Sequence, residues 1–177
     1  DRGLSERCIV GFNSGPPLLP GGYNQNIQLF QTRDHVVVLS EMVHEARIVP
    51  LDGRPHLPNT VRQWLGDGRG YWDGDTLVIE TENLSDQVAG FNAGFTTALG
   101  TGATVHLTER FTRVDADTLR YEFTVVDPDT FTQPITGVLQ LQQGTSPLFE
   151  YACHEGNYGM RNALSGARMA EKVDNRD

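Results

Sequence analysis

Ionisable side chains recur in this chain at positions where an ordinary strand would carry only hydrocarbon. In residues 35–49 one set of alternate positions reads Val37, Leu39, Glu41, Val43, Glu45, Arg47 and Val49, and the other reads Val36, Val38, Ser40, Met42, His44, Ala46 and Ile48. Successive strand side chains point to opposite faces, so whichever set turns inward brings a titratable group with it. The pattern repeats where His106, Thr108, Arg110 and Thr112 alternate with Val105, Leu107, Glu109 and Phe111. It repeats again where Leu148, Glu150, Ala152 and His154 alternate with Phe149, Tyr151, Cys153 and Glu155. A histidine beside carboxylates exchanges protons near neutral pH. Strands closing round one interior would bring Glu41 or His44, His106 or Glu109, Tyr121, Glu150 and His154 together from distant parts of the chain. The expected acid/base pair is His44 with Glu41, opposed by His154, Tyr151 and Glu150. Arg47, His56, Arg62, Trp64, His106 and Tyr121 would bind and orient the substrate.

That constellation suits a small enzyme working by acid–base chemistry without a cofactor: a lyase, isomerase or hydrolase acting on a small organic or sugar-like molecule. Two other classes fit the same residues. One is a calycin-type carrier that binds a ligand without chemistry; the other is a subunit of an extracellular assembly, joined through an apolar patch or an open strand edge. Convergent histidines and carboxylates would favour the enzyme, and an apolar lumen with one polar anchor the carrier. For each residue taken singly, the plain alternative is a half-exposed strand whose His and Glu face solvent or form a structural ion pair. His44, His56, His106 and His154 with Glu41 or Glu155 would also suit zinc or non-haem iron, but neither an H-x-H nor an H-E-x-x-H spacing occurs, so no metal is assigned. There is no Gly-x-Ser-x-Gly elbow, and Gly66-Asp-Gly-Arg-Gly70 lacks the lysine of a phosphate loop.

The elements that must position these groups are short. Residues 27–32, 35–49, 76–82, 105–114, 119–126, 131–142 and 148–154 read as strands, separated by turn chemistry at Arg33-Asp34, Trp72-Asp-Gly-Asp75, Asp115-Ala-Asp117 and Asp127-Pro-Asp129. Connections of that length imply antiparallel neighbours, and Leu119, Tyr121, Phe123 and Val125 alternate cleanly with Arg120, Glu122 and Thr124. The expected fold is a mainly β antiparallel meander closing into a calycin- or lipocalin-like barrel, one domain over residues 1–177. Residues 1–26, rich in Gly, Pro and Asn from residue 11, form an irregular arm, and residues 155–177 a tail with a helix near Met160–Lys172. Asn59 or Thr60 would cap a short helix to Leu65. Two loops look like more than connectors: residues 50–56 with 62–70, a candidate lid, and residues 92–103, a candidate gate.

The charge balance narrows the partners. A net charge of −9, from 23 acidic against 14 basic residues, disfavours nucleic acid, and no apolar run approaches the roughly 18 residues of a membrane helix, so membrane insertion is not expected. A small molecule is the expected partner, with self-association left open. Cys8 and Cys153 either bridge, which would tie the N-terminal arm to the last strand, or stand as unrelated buried thiols. The chain opens at Asp1 without Met, as a processed protein does, which fits a secreted or periplasmic location.

As a set, certain motifs are familiar: Tyr23-Asn24 with residues 28–32, the run EMVHEARIVPLDGRPH over 41–56, RQWLGD over 62–67, WDGDTLV over 72–78, ERFTRVD over 109–115 and EYACHEGNYG over 150–159. On these the chain resembles a large family of uncharacterised secreted proteins from acidobacteria and proteobacteria. The resemblance covers most of the chain and implies a secreted bacterial origin, without implying a reaction.

Overall fold

The computed structural model describes residues 4–11, 14–88 and 104–174. Eight strands run β1 (Ile27–Gln31), β2 (His35–Ser40), β3 (Ala46–Pro50), β4 (Asp67–Asp73), β5 (Thr76–Glu82), β6 (His106–Arg113), β7 (Thr118–Val126) and β8 (Ile135–Gln142), followed by one helix, α1 (Tyr158–Asp174). They form two antiparallel sheets, β1-β2-β3 and β4-β5-β6-β7-β8, each in sequence order as short turns require. The fold is mainly β, as the alternation predicts. No strand pairing joins the two sheets among the described residues, so the expected closed barrel is not formed there. No helix among these residues is long and apolar enough to cross a membrane.

Both sheets contribute to one apolar core: Val36, Val38 and Val49 from the small sheet meet Leu77, Ile79, Leu107, Phe111, Phe123 and Val125 from the large one. Register sorts the large sheet into rows. Gly68, Thr81, Leu107, Val125 and Ile135 lie side by side; the next inward row is Gly70, Ile79, Glu109, Phe123 and Gly137; the third is Trp72, Leu77, Phe111, Tyr121 and Leu139. The middle row places one carboxylate among hydrocarbon. Its terminal glycines make room: a Cβ at Gly70 would stand 2.7 Å from Leu51 Cδ2, and one at Gly137 would stand 2.4 Å from Phe123 Cζ. The opposite face carries Arg69, Thr108, Arg110, Arg120, Glu122 and Thr124, none of them buried, which is the polar outer side of a half-buried sheet.

Five expectations about elements need correction. Residues 35–49 are two strands, because Val43 (φ 59°) and His44 (φ 45°) adopt the left-handed conformation and turn the chain back on itself, closing with Ser40 N–H to Glu45 O at 2.8 Å. A β-branched residue at positive φ is a genuine outlier, and its effect is to shift parity: the buried positions are Val36, Val38 and Ser40 before the turn but Arg47 and Val49 after it. The Asp, Gly and Arg residues of β4 carry turn signals and predict a loop, yet the segment pairs along its whole length with β5. Residues 148–154 are not a strand, and the strand expected over 131–142 begins only at Ile135. No helix forms over 59–65, where Gln63 instead makes an isolated parallel bridge with Leu84. The C-terminal helix is present and longer than expected, and Cys8 and Cys153 are bridged, fastening the N-terminal arm to the segment before α1. The proposed gate at 92–103 lies outside the described residues.

Candidate functional site

The inward side chain of Arg47 on β3 reaches across the core to Glu109 on β6, 62 positions away. Its Nη1 donates to Glu109 Oε2 at 2.5 Å and its Nη2 to Oε1 at 3.0 Å. Tyr121 on β7 donates its hydroxyl to the same Oε1 at 2.8 Å and accepts the Leu18 N–H at 2.9 Å, which ties the N-terminal arm to the network. Side-chain exposure is 7% for Arg47 and 0% for Glu109. Burial works against the charge on Arg47, but attraction and hydrogen bonding from Glu109 outweigh it and hold the guanidinium pKa above its ordinary value. Burial first, then the negative charge of Glu109, pushes the Tyr121 phenol well up, so it stays a donor.

Two-sided use of Glu109 leaves Arg47 with one further edge. Arg47 Nε and Thr81 Oγ1 are both closed to solvent and have no hydrogen-bond partner among the described residues. Both residues line one cleft of about 560 Å³, within the range of small-molecule sites, between β3 on one side and residues 62–69 on the other. Trp64, 37% exposed, contributes an aromatic surface, and Glu45, Arg62 and Arg69 contribute charge. Burial raises the Glu45 pKa, against a smaller lowering by His44. Arg62 Nη1 donates to Leu84 O at 3.0 Å, holding this wall to the end of β5.

The wall is further braced by Asp67, which accepts from Arg69 Nη1 at 2.5 Å and from the Leu57 N–H at 2.8 Å and stands 3.3 Å from His56 Nδ1. Arg69 Nε also donates to Pro55 O at 3.0 Å, and Asn83 Nδ2 to Leu57 O at 2.8 Å. Of the expected lid, then, residues 55–57 are strapped to β4 and β5, while 62–69 form a side of the cleft. His56 belongs to the strap and is not part of the cleft lining.

The expected binding residues Arg47, Arg62 and Trp64 therefore come together, with Tyr121 beneath them. The expected acid/base residues lie elsewhere. His44 is exposed at the Val43–His44 turn. Glu41 is buried, accepting Asn26 Nδ2 at 2.6 Å on one oxygen and the Phe149 N–H at 3.2 Å on the other. Distant segments do meet at Glu41, but through a backbone amide. Glu150 and His154 are exposed, and Tyr151 stacks on Tyr23 with ring centroids 6.4 Å apart. Burial, then the hydrogen bond with Tyr23, raises the Tyr151 pKa. His106 pairs with Glu82 at 2.9 Å on the large sheet's outer side, both part-exposed. No group of three or more His, Cys, Asp or Glu able to hold a metal occurs among the described residues.

Sequence reasoning missed Thr81, Glu45, Asp67 and Arg69 as site residues. Thr81 carries no special signal, and Asp67 and Arg69 lie in a glycine-rich stretch whose composition predicts a loop. In comparisons with known proteins, no family model, no curated protein and no solved structure matches the chain. The likeness to secreted bacterial proteins rests on the sequence motifs alone.

Proposed function

We propose that this is a ligand-binding protein that holds a small polar organic molecule in the cleft between β3 and residues 62–69 without acting on it chemically. The observation that carries the reading is the pair of buried polar atoms, Arg47 Nε and Thr81 Oγ1, left without a partner in the cleft wall. An unanswered buried donor costs about 1–3 kcal/mol, and an occupant whose entry opens these two solvent-closed atoms to one of its oxygens would recover it. Arg47 suits such a role because Glu109, itself fixed by Tyr121, holds it from behind, so little ordering remains to oppose binding.

An acid–base enzyme built on His44 and Glu41 draws less support. Both Glu41 oxygens are already occupied and His44 faces solvent. The Cys8–Cys153 bridge is compatible with a secreted or periplasmic protein, where disulfides persist. The test is nitrogen–proton NMR of the Arg47 Nε and Trp64 indole groups during a screen of polar small molecules. The expected result is a saturable, shared movement of both signals with one class of compound; binders that move other residues and leave these two still would overturn the reading.

A further inference from the structure

We infer that the occupant of this cleft is an uncharged saccharide, a deepening that rests on the ligand-binding reading above. Three arginines line the cleft, Arg47, Arg62 and Arg69. Three carboxylates balance them: Glu109 grips Arg47 from behind, Asp67 grips Arg69, and Glu45 stands in the lining itself. An anion entering here meets Glu45 and Asp67 as like charges, and a cation meets the arginines, so neither gains a net attraction.

What the lining offers instead is donors and acceptors interleaved. Arg47 Nε–H only donates, the Glu45 carboxylate only accepts, and Gln63 and Thr81 can do both. A sugar hydroxyl also does both. Sugar hydroxyls would answer Arg47 Nε as acceptors and Thr81 Oγ1 as donors once small side-chain movements open these two solvent-closed atoms to the cleft, which a carboxylate cannot do without placing charge beside Glu45. Trp64 supplies the remaining element: a partly exposed flat apolar surface on which the C–H face of a pyranose ring buries its hydrocarbon.

The chain has two tryptophans, so a Trp72→Phe background isolates Trp64 fluorescence without touching the cleft. In that protein three sets are titrated: neutral monosaccharides and their oligomers, the matching uronates, and aromatic carboxylates. The inference expects saturable emission shifts with neutral sugars, and an affinity at least about tenfold weaker for the uronates. It also expects a loss of about tenfold on Thr81→Val, the size of one neutral hydrogen bond. Gln63→Ala, on an exposed residue, should weaken binding in the same direction and serves if Thr81→Val folds poorly. Tighter binding of oligomers than of monomers would identify a polysaccharide chain as the source, and equal affinities a free sugar. If uronates or aromatic carboxylates shift Trp64 and neutral sugars do not, the saccharide inference falls while the cleft keeps its role. If no set binds, and Thr81→Val merely raises the melting temperature as removal of an unanswered hydroxyl would, both readings fall.

Discussion

Glu41 and Glu109 are buried to nearly the same degree, at 3% and 0% exposure, yet they do different work. Glu41 is answered wholly by neutral donors, an Asn26 side-chain amide and the Phe149 backbone, and so fastens the N-terminal arm, the β2–β3 turn and residue 149 to one another. Glu109 is answered by a cation and a phenol, and the cation continues outward to a cleft wall where one of its donors is still unmatched. A buried carboxylate with all its partners internal is a fastening. One that anchors a guanidinium with an edge to spare can orient that edge toward something else. The comparison explains why the segment with the densest ionisable pattern, residues 41–47, divides between the two roles at a single turn.

The comparison can be broken by mutation, starting where the effect should be largest. Glu109→Ala leaves Arg47 charged, buried and without its partner, and should cost about 3–5 kcal/mol in urea unfolding. A much smaller loss would mean that Arg47 swings out to solvent and that the two glutamates differ less than their partners suggest. Tyr121→Phe strips one donor from Glu109 and leaves the Leu18 N–H unanswered, for an expected loss of about 1–3 kcal/mol by the same measurement. It should also lower ligand affinity, because Arg47 loses part of its support.

Glu41→Gln keeps one acceptor oxygen but sets an amide against either Asn26 or the Phe149 N–H, so a loss of about 1–2 kcal/mol is expected. Ligand affinity should stay unchanged, which is the sharpest contrast with Tyr121→Phe. Equal effects of the two variants on binding would erase the distinction between fastening and anchor. The smallest effect concerns Glu45, whose pKa burial raises, against a smaller lowering by His44. A raised folded pKa means that its favourable contribution is present below the ordinary glutamate range and is lost as pH rises through the folded value. Glu45→Gln should therefore raise the melting temperature at neutral pH by a small margin and leave it unchanged in acid; a gain of the same size in acid would point to a cause other than charge.

Much of the fold was legible because alternation is a local signal. Residues 119–126 read directly as a strand with Tyr121, Phe123 and Val125 on one side, and the strand stands as Thr118–Val126. β4 was not legible: glycines at 68 and 70 look like loop chemistry, and their use, admitting Val49 and Leu51 against the sheet, appears only once β3 is in place. Residues 148–154 alternate as a strand would, but no strand among the described residues pairs with them. Of the site, Arg47, Arg62, Trp64 and Tyr121 were legible as unusual types in unusual places. Which of them would meet was not.

From the amino-acid order alone came the β class, the antiparallel sense of neighbours joined by short turns, and the presence of ionisable groups on faces that must be buried. The folded molecule alone decided which face that was. Parity along β3 depends on two left-handed residues at the β2–β3 turn, and shifting a strand by one position exchanges every side chain between core and solvent. Arg47 meets Glu109 rather than water for that reason, and the cleft above it exists because two sheets close over a shared core.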